Sequence, residues 1–269
     1  MPDPVPANVT INFSEMSGVV DLAIRRVSAF YRFGLDELDL RDGGDFQIAS
    51  KMVYSFWPQQ ITDEHREEAK REYKAWLVGN CLRELDQFYK LFQDKVWRAL
   101  ELSQLHEETV KVNHALDGSF AKKTNVAAKQ EMIAQKLSIE SFVEELNSLS
   151  LARNCLTHNA GLVRAPNDCN DENRTVLTVK WLGFDVSVTR GGATIKAETM
   201  PIDLRALPGE GEAEFVIHYS PRQLSFDAQQ KISIPKDVVA ELCMFYKVLC
   251  DKVMVGLRDE FIKKGIIRP

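Results

Sequence analysis

The stretch Leu-Ala-Arg-Asn-Cys-Leu-Thr-His-Asn-Ala-Gly-Leu, residues 151–162, puts a guanidinium, an amide and an imidazole within two turns of what reads as a helix end. A helix end needs a Gly or Asn and at most one basic residue. Arg153, Asn154 and His158 exceed that need, and together they suit one reaction that requires no metal. A histidine gives or takes a proton near neutral pH. An arginine is permanently charged and offers a planar fork to phosphate oxygens. In RNA, the ribose 2′-OH can attack the adjacent phosphorus while the imidazole moves a proton and the guanidinium stabilises charge on the crowded phosphorane. The expected products are a 2′,3′-cyclic phosphate and a 5′-OH. DNA lacks the 2′-OH and is spared. Asn154 would orient the histidine or a phosphate. The plainer reading is a helix C-terminus, where cations are favoured by the helix dipole.

The elements around the motif must present these groups together. On a helix, Asn154 and His158 lie at i, i+4 and share a face. Arg153 lies about 140° from His158 around an ideal helix. Its long side chain can swing toward the same place or reach a site shared with a second chain. Met132, Ile133, Leu137, Phe142, Leu146 and Leu149 predict one apolar helical face from about Asn125 to His158, ended by Asn159-Ala160-Gly161. Upstream, Ser14 is the expected cap of a first helix carrying Val20, Ala23, Ile24, Val27 and Phe30. The break Asp42-Gly43-Gly44-Asp45 follows, then an apolar segment, Phe46 to Trp57, of undecided type. A long helix is predicted from Asp63, with Tyr73, Leu77, Cys81, Leu85, Phe88, Phe92, Val96 and Leu100 in one stripe, fading near Asp117-Gly118. The period then changes. Thr175–Trp181, Phe184–Thr189, Ala193–Met200, Phe215–Tyr219 and Lys231–Ile234 read as strands. Pro235 opens a last helix with Val238, Leu242, Phe245, Leu249, Val253 and Phe261 buried. The expected fold is mainly α: a single domain over residues 1–269, a helical bundle with a flexible segment at 1–13 and a β-rich insertion at 170–234 before the last helix.

Composition narrows the function classes. A net charge of −5 and a pI near 5.7 argue against a large basic surface for wrapping nucleic acid, though not against a local basic site. The five cysteines include no CxxC pair, which argues against a zinc site and a disulfide framework. Cys81, Cys243 and Cys250 fall in apolar helical patterns and read as core thiols. No basic stretch followed by an apolar run opens the chain, and no run of about 18 apolar residues appears. A cytoplasmic protein without a membrane span is expected.

Arg153-Asn-Cys-Leu-Thr-His158 resembles the R-x4–6-H motif of the HEPN superfamily, including the polar residue that often follows the arginine. The fuller stretch to Val163 resembles the bacterial branch labelled RiboL-PSP-HEPN, as does Lys231–Ile234 followed by the Pro235 helix. Beyond that the likeness is one of helical architecture. The resemblance implies a HEPN-like bundle and a metal-independent endoribonuclease, with the active site at a homodimer interface and no cofactor. Arg153 and His158 would be the catalytic pair and Asn154 their support. It implies roles in toxin–antitoxin systems, phage defence or RNA processing, with an antitoxin or a defence complex as a possible partner. The alternative is a catalytically inactive HEPN-like module that binds RNA, a nucleotide or a protein, and a third reading is a structural subunit of a defence complex. The length, the insertion and the acidic charge depart from small toxin-like members.

Other signals carry less. Lys122, Lys123 and Lys129 form a basic cluster able to contact RNA phosphates, against a reading as solvated surface. Gly43-Gly44-Asp45-Phe46 resembles a diguanylate cyclase signature but lacks an acidic residue, so a turn is preferred. Asp168–Glu172 resembles a calcium loop, but Asn173 and Val179 occupy its Gly and Glu positions. His65 and Glu68 have no evident third metal ligand. His106 and His114 read as surface residues, and His218 as a strand residue without a role. Tyr73, Trp76, Phe88, Phe92 and Trp97 read as core or dimer surface more simply than as a base-stacking platform.

Overall fold

A computed structural model describes residues 10–36, 46–49, 52–54, 62–107, 120, 122–123, 125–197 and 211–268. The chain is mainly helical, and an antiparallel sheet precedes its last helix. The elements run α1 (Phe13–Asp36), β1 (Phe46–Ala49), β2 (Met52–Tyr54), α2 (Asp63–Glu107), α3 (Val126–Leu137), α4 (Val143–His158), β3 (Val176–Arg190), β4 (Ala193–Ala197), β5 (Glu214–Asp227) and α5 (Lys236–Lys263). No helix among the described residues is long and apolar enough to cross a membrane. The breaks at Asp42–Asp45 and Asp117-Gly118, and His114, lie outside the described residues.

Several local expectations are corrected. Asn12, not Ser14, caps α1: its side chain accepts from the Glu15 amide at 3.1 Å. The undecided segment after residue 45 contains the short antiparallel pair β1–β2. The helix expected over 125–158 is two helices, because Ser138 (φ 54°) and Phe142 (φ 53°) adopt left-handed backbone. Phe142 is 5 % exposed, so the side chain that forces this costly conformation is itself core packing. The two strands expected over 175–189 are one strand, β3, and the 231–234 segment contributes only an isolated bridge, Lys231 to Leu162.

The long helix α2 is the spine. Helix α1 runs antiparallel along it, with Lys95–Glu15 (2.6 Å) and Arg26–Glu84 ion pairs marking the register. On its other flank lies α4, and the two backbones approach closely at Gly79, where an added Cβ would sit 2.9 Å from Leu156 Cβ. Only glycine allows that approach. Helix α5 closes the bundle, burying Leu242, Phe245, Tyr246, Leu249 and Val253. Inside, Tyr89 donates to Gln130 Oε1 (2.8 Å) and the Gln93 amide donates to the Val126 carbonyl (3.0 Å). Buried polar groups need such partners.

The three strands pair in the order β4–β3–β5. Leu177, Val179, Trp181 and Phe226 join the main core, and the Ser148 hydroxyl accepts from the Lys180 amide at 2.8 Å. The buried side of β3 changes between Gly183 and Val186: residues 177, 179 and 181 are buried on one face, and Val186 and Val188 on the other. The β3–β5 register runs unbroken through that change. Beyond it, β5 exposes Phe215, Ile217 and Tyr219. The two ends of the sheet region meet at the bundle: the Val163 amide donates to the Gln230 carbonyl (3.0 Å) and the Ile232 amide to the Gly161 carbonyl (2.8 Å).

Candidate functional site

Arg153, Asn154 and His158 sit on the last two turns of α4. Helix α4 stops at Asn159, where the amides of Asn159 (3.0 Å) and Gly161 (2.9 Å) both close on the Cys155 carbonyl. Ala160 (φ 50°) and Gly161 (φ 79°) carry the expected left-handed turn.

The structure brings Arg153 and Asn154 together. Arg153 Nη2 (3.0 Å) and Nε (3.3 Å) donate to Asn154 Oδ1. Arg153 Nη1 donates to Asp86 Oδ2 at 2.5 Å. The Tyr246 hydroxyl donates to the other carboxylate oxygen of Asp86. Asp86 from α2, Arg153 and Asn154 from α4 and Tyr246 from α5 therefore meet in a chain Tyr246–Asp86–Arg153–Asn154. Tyr246 is fully buried and Asp86 nearly so, while the Arg153 side chain keeps 27 % exposure. Burial pushes the Asp86 carboxyl above the usual carboxylate value, and the Tyr246 hydrogen bond and Arg153 pull it back. Burial raises the Tyr246 phenol well above its ordinary value, with Asp86 adding to the rise, so it serves as a donor.

A guanidinium has five N–H donors. The three contacts above use three of them, so the partly exposed face keeps donors for an oxyanion. His158 is exposed, and among the described residues its imidazole has no hydrogen-bond partner. The triad is thus one fixed pair plus one free imidazole at the same helix end.

Asp86 and Tyr246 were not singled out in the sequence. The available signal was spacing: Leu82, Asp86, Tyr89 and Gln93 recur at helical steps, and all four are buried. An aspartate at such a position demands a cation or a donor.

The basic cluster divides. Lys122 and Lys123 are exposed. Lys129 is not a surface residue: it is 2 % exposed, paired with Asp94 and set over the Phe120 ring at 4.8 Å. That corrects its assignment as an RNA contact. The aromatic stripe also divides, with Phe92 and Trp97 buried and Tyr73 and Trp76 exposed and stacked at 5.8 Å. His65 pairs with the Thr62 hydroxyl near the start of α2, and His218 with Ser187 on the sheet. Asp171 caps its own turn, accepting from the amides of Asn173, Thr175 and Val176. Among the described residues, no group of three or more His, Cys, Asp or Glu side chains could hold a metal ion. The five cysteines are buried and unpaired, and burial pushes the thiols of Cys81, Cys155 and Cys250 up to about 12 and Cys243 to about 11.

No protein-family model, curated protein or solved structure matches the chain.

Proposed function

We propose that the chain is a HEPN-like endoribonuclease that cleaves RNA by 2′-OH attack, without a metal or organic cofactor, as a homodimer. The observation that carries this reading is an arginine held from behind, with a free imidazole five residues further along the same helix end. Asp86 and Asn154 fix the Arg153 guanidinium while leaving it donors, and His158 stands exposed on the same helix end. A positioned cation loses little entropy when it meets a phosphorane. His158 takes the 2′-OH proton or delivers one to the leaving 5′-oxygen, and Asn154 sets the arginine. The homodimer is supported by a surface beside the site. Phe30, Phe33, Tyr73 and Trp76 are exposed on α1 and α2, and the α2 face with Trp76 adjoins Gly79, against which α4 packs. The role in toxin–antitoxin function, phage defence or RNA processing belongs to this proposal, as does a neutralising or complex-forming partner.

One observation favours a second reading, an inactive binding module. The carboxylate of Asp86 neutralises much of the Arg153 charge, as a structural ion pair would.

The test is RNA cleavage in EDTA by the wild type and His158→Ala, with the 3′ ends analysed. Cleavage by the wild type alone, leaving cyclic phosphate, is expected. Cleavage that needs a divalent ion and leaves a 3′-OH would overturn the mechanism. No cleavage of total RNA or tRNA would favour the binding module.

A further inference from the structure

We propose that the cavity between the C-terminal part of α1, residues 71–78 of α2 and the start of α5 binds a phosphate monoester carrying an apolar body. The cavity measures about 470 Å³ and is lined by Arg71, Lys74, Lys231 and Lys236, with Glu72 as the one carboxylate in its wall among the described residues. That volume falls within the usual range for small-ligand sites.

Three observations converge on this ligand class. First, the four cations are unpaired among the described residues. Other lysines of this acidic chain do find partners: Lys70, Lys95, Lys129, Lys180, Lys247 and Lys252 each pair with a carboxylate. Four unneutralised cations around one concavity raise the local potential for an anion. Second, the floor is apolar. Leu35, Val78, Leu156, Ile232 and Ile234 line it. An inorganic anion would leave that surface wet, whereas an apolar body covers it. Third, Tyr31 lines the cavity, is only 9 % exposed, and its hydroxyl has no hydrogen-bond partner among the described residues. The hydroxyl oxygen itself is not fully enclosed, so an acceptor inside the cavity can reach it. Burial holds the phenol above its ordinary value, aided by Cys81 and Asp237, so the group is a donor awaiting an acceptor.

The cavity also touches the candidate site from behind. Leu156 and Ala160, which flank His158 in sequence, form part of its wall. The Ile232 amide is bonded to the Gly161 carbonyl. An occupant therefore contacts the last turn of α4 directly.

The same chemistry can come from a nucleotide or a lipid, so the test separates them. Full-length protein is titrated calorimetrically with adenosine 5′-monophosphate, octyl phosphate, adenosine and inorganic phosphate. Saturable binding of the monophosphate or of octyl phosphate is expected, with adenosine and inorganic phosphate weaker by about tenfold or more. Preference for the first identifies a nucleotide, and preference for the second a lipid-like phosphate. The exposed double variant Lys74→Glu/Lys236→Glu should weaken binding by about tenfold or more, and Tyr31→Phe should weaken it without altering the fold. Three results would each overturn the proposal: no saturable binding of either ester, inorganic phosphate binding as tightly as the esters, or unchanged affinity in the double variant. None of these readouts depends on RNA cleavage.

Discussion

Removing the Arg153 guanidinium tests the central contact of the site. In Arg153→Ala, Asp86 keeps the Tyr246 hydroxyl but loses the one cation paired with it among the described residues, while remaining about 5 % exposed at the side chain. Breaking a buried ion pair from one side costs about 3–5 kcal/mol. Arg153 is itself 27 % exposed, so water reaches the gap and the loss should fall at or below the lower end, about 2–3 kcal/mol. For a chain of this size that is a fall in Tm of roughly 4–12 °C. The companion Asp86→Asn removes the buried charge, and the double variant removes both. Because the two groups touch, the double variant should be less damaged than the sum of the singles, by about 1–3 kcal/mol. Urea unfolding followed by circular dichroism measures all three. A coupling below about 0.5 kcal/mol would mean that the pair does not hold in solution, and the argument for a pre-set arginine would fall with it. The cycle also has a pH signature. The Asp86 carboxyl lies above its ordinary value of 3.8 in the folded chain. The folded state therefore binds the proton first, and this group's contribution to stability rises as pH falls from its folded value toward 3.8. Asp86→Asn should remove that segment of the stability–pH curve.

Other expectations follow from single contacts. At Lys129–Asp94 the lysine is buried and the aspartate half-exposed, so Asp94→Ala should cost about 2–4 kcal/mol while Lys129→Met is near neutral, read by thermal unfolding. Neither should change RNA affinity, and a loss confined to Lys129→Met would restore Lys129 as an RNA contact. Gly79→Ala should cost about 1–3 kcal/mol, because the new methyl must push α4 off α2; an unchanged Tm would refute the close approach. Glu144 is held below the ordinary carboxylate range by Lys180, so their pairing stabilises the fold above pH 4.5 and is lost as pH falls through the folded value. Glu144→Gln should flatten stability across that window. The five thiols should resist a disulfide reagent in the native protein and react in denaturant; rapid native reaction would contradict their burial.

The legibility of this chain depended on periodicity. Stripes such as Val20–Ala23–Val27 and Leu242–Phe245–Leu249 were readable because a long amphipathic helix repeats its signal many times. The break at 138–142 was not, since neither Ser138 nor Phe142 is a usual left-handed residue and the apolar spacing runs through it. β3 read as two strands because Gly183 interrupts it and the buried side then changes, which destroys strict alternation. At the site, Arg153, Asn154 and His158 were visible as an excess of functional groups at a helix end. Their support was not. Asp86 and Tyr246 are 67 and 160 residues from their partners in the chain, and only tertiary packing brings them together. Lys129 shows the converse failure: a lysine beside Lys122 and Lys123 looks like surface, and an aspartate on another helix makes it core.

The hydrogen bonds that join residues 161–163 to 229–232 make the sheet region a detour, leaving and rejoining the bundle at one place. By topology it could be cut out and the gap spanned by a short loop. Its energetics forbid that. Leu177, Val179, Trp181 and Phe226 would leave the core with it. At about 1.5–3 kcal/mol for each large apolar side chain, the loss is on the order of 10 kcal/mol, comparable to the whole stability of an ordinary domain. A helices-only fragment should therefore not persist as a folded species, and the smallest unit in which α4 can present its arginine and histidine includes the sheet.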